Sequence, residues 1–135
     1  MLTEYTALVD ALQETNIPFA EYGWETRPNV TYGVITPEGD AGSIEGDGRK
    51  LDRSQDVSID VFFSKKADRD AVIRTVETVL RSVCGSCWEL NSTNYETQTR
   101  LFHYEWICEV IDNPTGEPAE DQPEEGEPDG VPDAG

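Results

Sequence analysis

Basic residues are scarce in this chain. Ten Lys and Arg stand against 28 Asp and Glu in 135 residues, a net charge of −18. Duplex DNA is gripped by Lys and Arg that neutralise phosphates, so the balance excludes a DNA-gripping role. It also sets the chain against anionic membrane surfaces. No stretch approaches 18 consecutive apolar residues, so nothing reads as a membrane span. The start, Met1-Leu2-Thr3-Glu4, lacks the basic flank and apolar run of a secretory signal. The expectation is a soluble chain made in a cytoplasm, where Asn29-Val30-Thr31 and Asn91-Ser92-Thr93 carry no glycosylation meaning. Cysteine is limited to Cys84, Cys87 and Cys108, an odd number that argues for free thiols rather than a disulfide scaffold. His103 is the only histidine, which leaves little for a Ser–His or Cys–His catalytic set.

What is abundant is acid, and it is unevenly placed. Residues 112–135 hold nine acidic residues, no Lys or Arg, and five of the eight prolines; residues 1–111 hold nineteen acidic and ten basic residues. The last 24 residues offer only Ala119, Val131 and Ala134 as aliphatic groups. Such a composition cannot bury enough apolar area to offset the entropy of ordering, so it reads as a disordered acidic tail behind one folded domain over 1–111.

Within that domain, Tyr5, Leu8, Val9 and Leu12 follow a helical period, with Thr3 as a candidate cap. Asn16 and Pro18 stop this helix. Ile17–Tyr22 and Val30–Ile35 read as strands on either side of a loop carrying Trp24, Arg27 and Pro28. Pro37–Arg53 is rich in Gly and Asp and reads as a long loop or a splayed, irregular hairpin. Gln55–Ser64 alternates Val57, Ile59, Val61 and Phe63 with mostly polar residues, the pattern of a half-buried strand. A second helix is expected over Ala67–Val83, with i,i+4 pairs Asp70–Arg74 and Glu77–Arg81 and a stop at Gly85. Trp88–Leu90 reads as a short strand, Asn91–Thr99 as a turn, and Arg100–Ile111 as a long strand with Phe102, Tyr104, Trp106, Cys108 and Val110 on one side. The expected fold is α+β: a mostly antiparallel sheet of four to five strands with two helices packed on one face.

Chemistry-bearing motifs are few. Cys84-Gly85-Ser86-Cys87 is a C-x-x-C that could supply half a zinc site, completed by Cys108 and His103. Those two residues differ in strand parity, so on a regular strand they face opposite ways. A redox pair needs a helix N-terminus to favour the thiolate, and this motif sits at a helix C-terminus. Small residues at a helix exit are the plainer reading. His103-Tyr104-Glu105 with C-x-x-C has the residue types of a zinc deaminase in the wrong order, so that assignment is rejected. His103, Glu105 and Glu109 share the outer side of the last strand and read as a solvated face, with a carboxylate–imidazole metal patch or an acid–base pair as the sharper alternatives. The aromatics Tyr22, Trp24, Tyr32, Phe62 and Trp88 lack the interleaved cations of a nucleic-acid platform.

The order of elements and several local words resemble the tail terminator (tail completion) proteins of long-tailed bacteriophages. The likeness runs over Leu2–Ile111. It is carried by the helix around Leu8 and Leu12, Ile17-Pro18-Phe19, Tyr22-Gly23-Trp24 with Arg27-Pro28, and Thr31-Tyr32-Gly33-Val34-Ile35. The strand Val57-Ser58-Ile59-Asp60-Val61-Phe62-Phe63 and the run Phe102-His103-Tyr104-Glu105-Trp106 complete it. The acidic tail and the C-x-x-C depart from that pattern. The resemblance implies a virion protein without enzymatic activity or cofactor, assembled in a host cytoplasm. It would form a ring, commonly hexameric, that caps the tail tube at its head-proximal end. Its partners would be further copies of itself, the major tail tube protein and the head connector. DNA would pass through the lumen without specific binding. Ring contacts are expected at Trp24 and Arg27 in the first loop and at Ile44, Arg49, Lys50 and Leu51 in the Gly-rich segment. The competing reading is a small zinc-binding or adaptor protein using Cys84, Cys87 and Cys108.

Overall fold

The computed structural model describes residues 4–38, 43–46 and 49–112, with 43–46, 49–53 and 112 described by their backbone alone. The proposed cap Thr3 and the tail from Asn113 onward lie outside the described residues. Helix α1 (Glu4–Gln13) is followed by strands β1 (Phe19–Glu21), β2 (Tyr32–Glu38), β3 (Ser43–Gly46) and β4 (Arg49–Phe63). A 3-10 turn at Lys66–Asp68 leads into helix α2 (Arg69–Cys84), and β5 (Trp88–Glu96) and β6 (Leu101–Asp112) close the chain. The sheet order is β1-β2-β4-β6-β5, with β3 paired to β4 outside that path. The expected α+β architecture is therefore the observed one, with both helices on one face of a mostly antiparallel sheet.

Burial explains the layering. Alternate residues Val57, Ile59, Val61 and Phe63 of β4 and Tyr104, Trp106, Cys108 and Val110 of β6 are buried, and they meet Leu8, Val9 and Leu12 of α1 and Val72, Val76 and Leu80 of α2. Trp106 is fully buried, and its indole N–H donates to Glu77 Oε2 at 3.0 Å. Glu77 also pairs with Arg81 at 3.5 Å, one helical turn on. The other predicted pair, Asp70–Arg74, gives way to Arg69–Asp70 at 3.4 Å. Gly85 ends α2 with φ of 63° and ψ of −113°, a backbone state that a side chain disfavours. The chain then turns so that Trp88 Nε1 donates to the Gly85 carbonyl at 2.9 Å and Arg81 lies over the Trp88 ring at 5.6 Å.

Several boundaries differ from the sequence reading, each for a physical reason. β1 and β2 pair in parallel (Phe19↔Gly33 to Glu21↔Ile35), although a short connection favours antiparallel neighbours. Tyr22 (φ 69°) and Gly23 (φ 144°) turn the chain out of β1, and Trp24 Nε1 donates to the Gly33 carbonyl at 3.0 Å, pinning the connecting loop along the sheet edge. Val30 belongs to that loop, with 65% of its surface exposed, and β2 starts only at Tyr32. Of the two alternatives for the Gly- and Asp-rich segment, its described residues form the irregular hairpin, and residues 39–42 and 47–48 lie outside the described residues. β3 pairs with the first residues of β4 and shifts register between Ile44 and Glu45. Asn91–Glu96 is strand, not turn: β5 runs to Glu96 beside β6, with a register shift between Leu90 and Ser92. The turn is confined to residues 97–100.

Candidate functional site

Two neighbourhoods carry the polar chemistry of the domain: the outer face of the sheet, away from the helices, and the loop between β1 and β2. On the outer face, Tyr32, Phe62 and His103 lie in register across β2, β4 and β6. Their rings stack in series, Tyr32 on Phe62 at 4.9 Å and Phe62 on His103 at 4.2 Å. His103 Nε2 lies 2.6 Å from Asp60 Oδ1, and Nδ1 lies 3.0 Å from Glu96 Oε2. A neutral imidazole has one N–H and cannot donate to both carboxylates, whereas the imidazolium donates to each. The hydrogen bond to Asp60 raises the His103 pKa most, burial opposes it, and the charges of Asp60 and Glu96 add to the rise.

The network continues past the imidazole. Ser58, 1% exposed, offers its hydroxyl to Glu105 Oε2 at 2.7 Å and to Asp60 Oδ2 at 3.0 Å. Asn91 Nδ2 donates to Glu105 Oε1 at 3.0 Å. Ser58, Asp60 and His103 thus share one patch in an order unlike that of a nucleophilic triad. The hydroxyl bonds carboxylates rather than the imidazole, and both imidazole nitrogens face carboxylates. The arrangement holds a proton and ties β4, β5 and β6 together. Sequence parity placed His103, Glu105 and Glu109 on this face correctly. The partners Asp60, Glu96 and Ser58 escaped notice because they come from other strands.

The thiols divide between two environments. Cys84 and Cys108 are buried in the core and hydrogen-bond each other, while Cys87 is exposed. The bond with Cys84 and burial push the Cys108 pKa up, so Cys108 stays a protonated thiol. Cys87 stays outside, its backbone N–H donating to the Cys84 carbonyl at 3.0 Å. His103 is on the opposite face of β6 from Cys108. Among the described residues, no group of three or more His, Cys, Asp or Glu side chains comes together in a way that could hold a metal ion. An open cavity of about 330 Å³ lies beside Cys87 and Cys108, and Asp56, Glu89 and Glu109 in its lining disfavour anions there.

The predicted contact residues fall in two places. Trp24 and Arg27 sit in the β1–β2 loop, both exposed, and Arg27 bonds the Tyr32 hydroxyl. Ile44 lies in β3, and Arg49, Lys50 and Leu51 open β4. Trp24 is anchored at Gly33, near the start of β2, whereas the hairpin begins beyond Glu38 at its end. The structure therefore keeps the two groups apart, at opposite ends of β2. No described helix is long and apolar enough to cross a membrane. No protein-family model matches the sequence, and no curated protein matches it.

Proposed function

We propose that this chain is a structural subunit that assembles head to tail into a ring, in the manner of the tail terminator proteins its sequence resembles. The observation that carries this reading is the separation of its two candidate contact surfaces. A closed ring needs two different patches on each subunit, each complementary to the other and related by a rotation. The β1–β2 loop with Trp24 and Arg27 offers one patch, and the β3–β4 hairpin with Ile44, Arg49, Lys50 and Leu51 offers the other, at the far end of β2. β5 adds an open sheet edge nine residues long. In this reading the ring sits at the head-proximal end of a phage tail. It contacts the tail tube on one side and the head connector on the other, and its acidic wall lets DNA pass without sticking.

Native mass spectrometry and electron microscopy of the purified chain, alone and with tail-tube protein, test the reading. Closed rings of one copy number are expected, and Trp24→Ala or a hairpin charge reversal should convert them to monomers. A chain that remains monomeric at high concentration and leaves tail tubes uncapped would overturn it.

A further inference from the structure

Four of the ten Lys and Arg of this acidic domain, Arg27, Lys65, Lys66 and Arg100, lie towards the end of the sheet that carries an exposed aromatic loop. Arg27, Val30, Tyr32, Ser64 and Leu101 line one shallow cleft of about 80 Å³, room for a single small ring and too little for a metabolite. Lys65 and Lys66 follow Ser64, and Arg100 precedes Leu101, so four cations edge the same end of the sheet. All four are exposed, and among the described residues none of them has a carboxylate within ion-pair distance. Arg69, in the same region, is already bound to the Tyr104 hydroxyl and to Asp70. Val30, in the cleft's lining, is 65% exposed, and Trp24, in the same β1–β2 loop, is 36% exposed, its indole fixed by its bond to Gly33. Unpaired cations around a fixed, partly exposed indole suit a ligand that is both acidic and proline-rich: carboxylates meet the cations, and proline rings lie on the aromatic surface.

The chain itself contains such a ligand. Residues 113–135 hold eight acidic residues and Pro114, Pro118, Pro123, Pro128 and Pro132. We propose that this segment folds back onto the cleft edged by Arg27, Lys65, Lys66 and Arg100, with a proline against Trp24 and Val30. Reach permits it. β6 carries the chain about 40 Å from Arg100 to Asp112, and 23 further residues span up to about 76 Å, which leaves about ten to lie in the cleft. Tethering places the segment at an effective concentration on the order of millimolar, so at micromolar protein the contact forms within one chain. A nucleic-acid backbone would match the cations alone, against a whole-chain charge of −18 and without a use for the prolines. The inference does not depend on the ring reading. If that reading holds, the segment covers Trp24 and Arg27 until a neighbouring subunit displaces it.

Zero-length carbodiimide coupling of the full chain at low salt, read by peptide mass spectrometry, tests the contact. Among side chains, only Lys50, Lys65 and Lys66 can report. Arg53 pairs with Asp112, so proximity along the chain favours Lys50, and the cleft favours Lys65 and Lys66. Intrachain links from Lys65 or Lys66 to residues between Glu117 and Asp133 are expected. They should be lost at high salt and greatly reduced when Pro118, Pro123 and Pro128 are all changed to Ala, a change outside the folded domain. Links confined to Lys50, links only between different chains, or links indifferent to the proline changes would overturn the proposal. So would protection of Lys65 and Lys66 by a short DNA duplex equal in chains with and without residues 113–135.

Discussion

At the scale of single residues, Gly33 and His103 show how the sheet fixes identity. Gly33 faces Phe19 across the parallel pair, and an added Cβ would overlap the Phe19 ring. Phe19 is itself buried against the core, so it cannot swing away. Gly33→Ala should therefore destabilise the fold by about 1–3 kcal/mol, as overpacking does, and a urea melt would read it. A Phe19→Ala, Gly33→Ala double variant should lose less than the sum of the two single changes. His103 makes a pH prediction. Its pKa in the fold lies above the unfolded value of about 6.5. The stability it adds is fully present below about 6.5 and is lost as pH rises through the raised folded value. Melting temperature should fall across that window, and the His103→Gln variant should show a flatter profile. An imidazole titration followed by NMR that gives a value at or below 6.5 would contradict the double-carboxylate clamp.

At the scale of elements, legibility followed hydrophobic contrast. α1, α2, β4 and β6 were readable because one side of each is buried and the other wet, so period alone identified them. β5 beyond Leu90 was not readable. It is an edge strand that no helix covers, most of its residues are exposed, and Asn91–Glu96 shows no alternation. The β3–β4 hairpin had a usable signal that composition masked. Gly46 pairs with Arg49, which leaves Asp47-Gly48 between them, and Asp-Gly is a preferred two-residue hairpin connection. The outer-face network was half legible: parity put His103 and Glu105 on one side, but Asp60, Glu96 and Ser58 join only through register. The link between α2 and β6 was also hidden, because Glu77 looked like half of a surface pair. It implies that Trp106→Phe should cost about 2–3 kcal/mol, through lost packing and a lost donor to a carboxylate. Glu77→Gln, which keeps an accepting oxygen, should cost less than about 1 kcal/mol. Equal losses from the two changes in a denaturant titration would argue against that bond.

At the scale of the whole molecule, net charge per residue rises sharply after Asp112: eight of the 18 net negative charges fall on the last 23 residues. Among the described residues, every buried core residue lies between Leu8 and Val110. The eight acidic residues after Asp112 contribute eight of the 18 net negative charges, so a chain ending at Asp112 would carry −10. Self-repulsion destabilises a compact state and is screened by salt. Two effects of truncation then oppose one another. Removing eight like charges lessens repulsion, while removing an acidic ligand from the Arg27–Lys65–Lys66–Arg100 cleft leaves those cations unpaired. The core contacts among the described residues are all made within residues 4–112, so the truncated chain should fold, with a melting temperature within a few degrees of the full chain at moderate salt, where a shift of about 1 kcal/mol corresponds to roughly 4–8 °C for a domain near this size. At low salt the sign of the shift separates the two effects. A rise on truncation means that repulsion dominates, and a fall means that the cleft contact does. The back-folded segment predicts the fall, together with its disappearance in high salt and its absence in a chain whose Lys65 and Lys66 are already changed to Gln. A truncated chain that fails to fold at any salt would show instead that part of the core lies beyond Asp112.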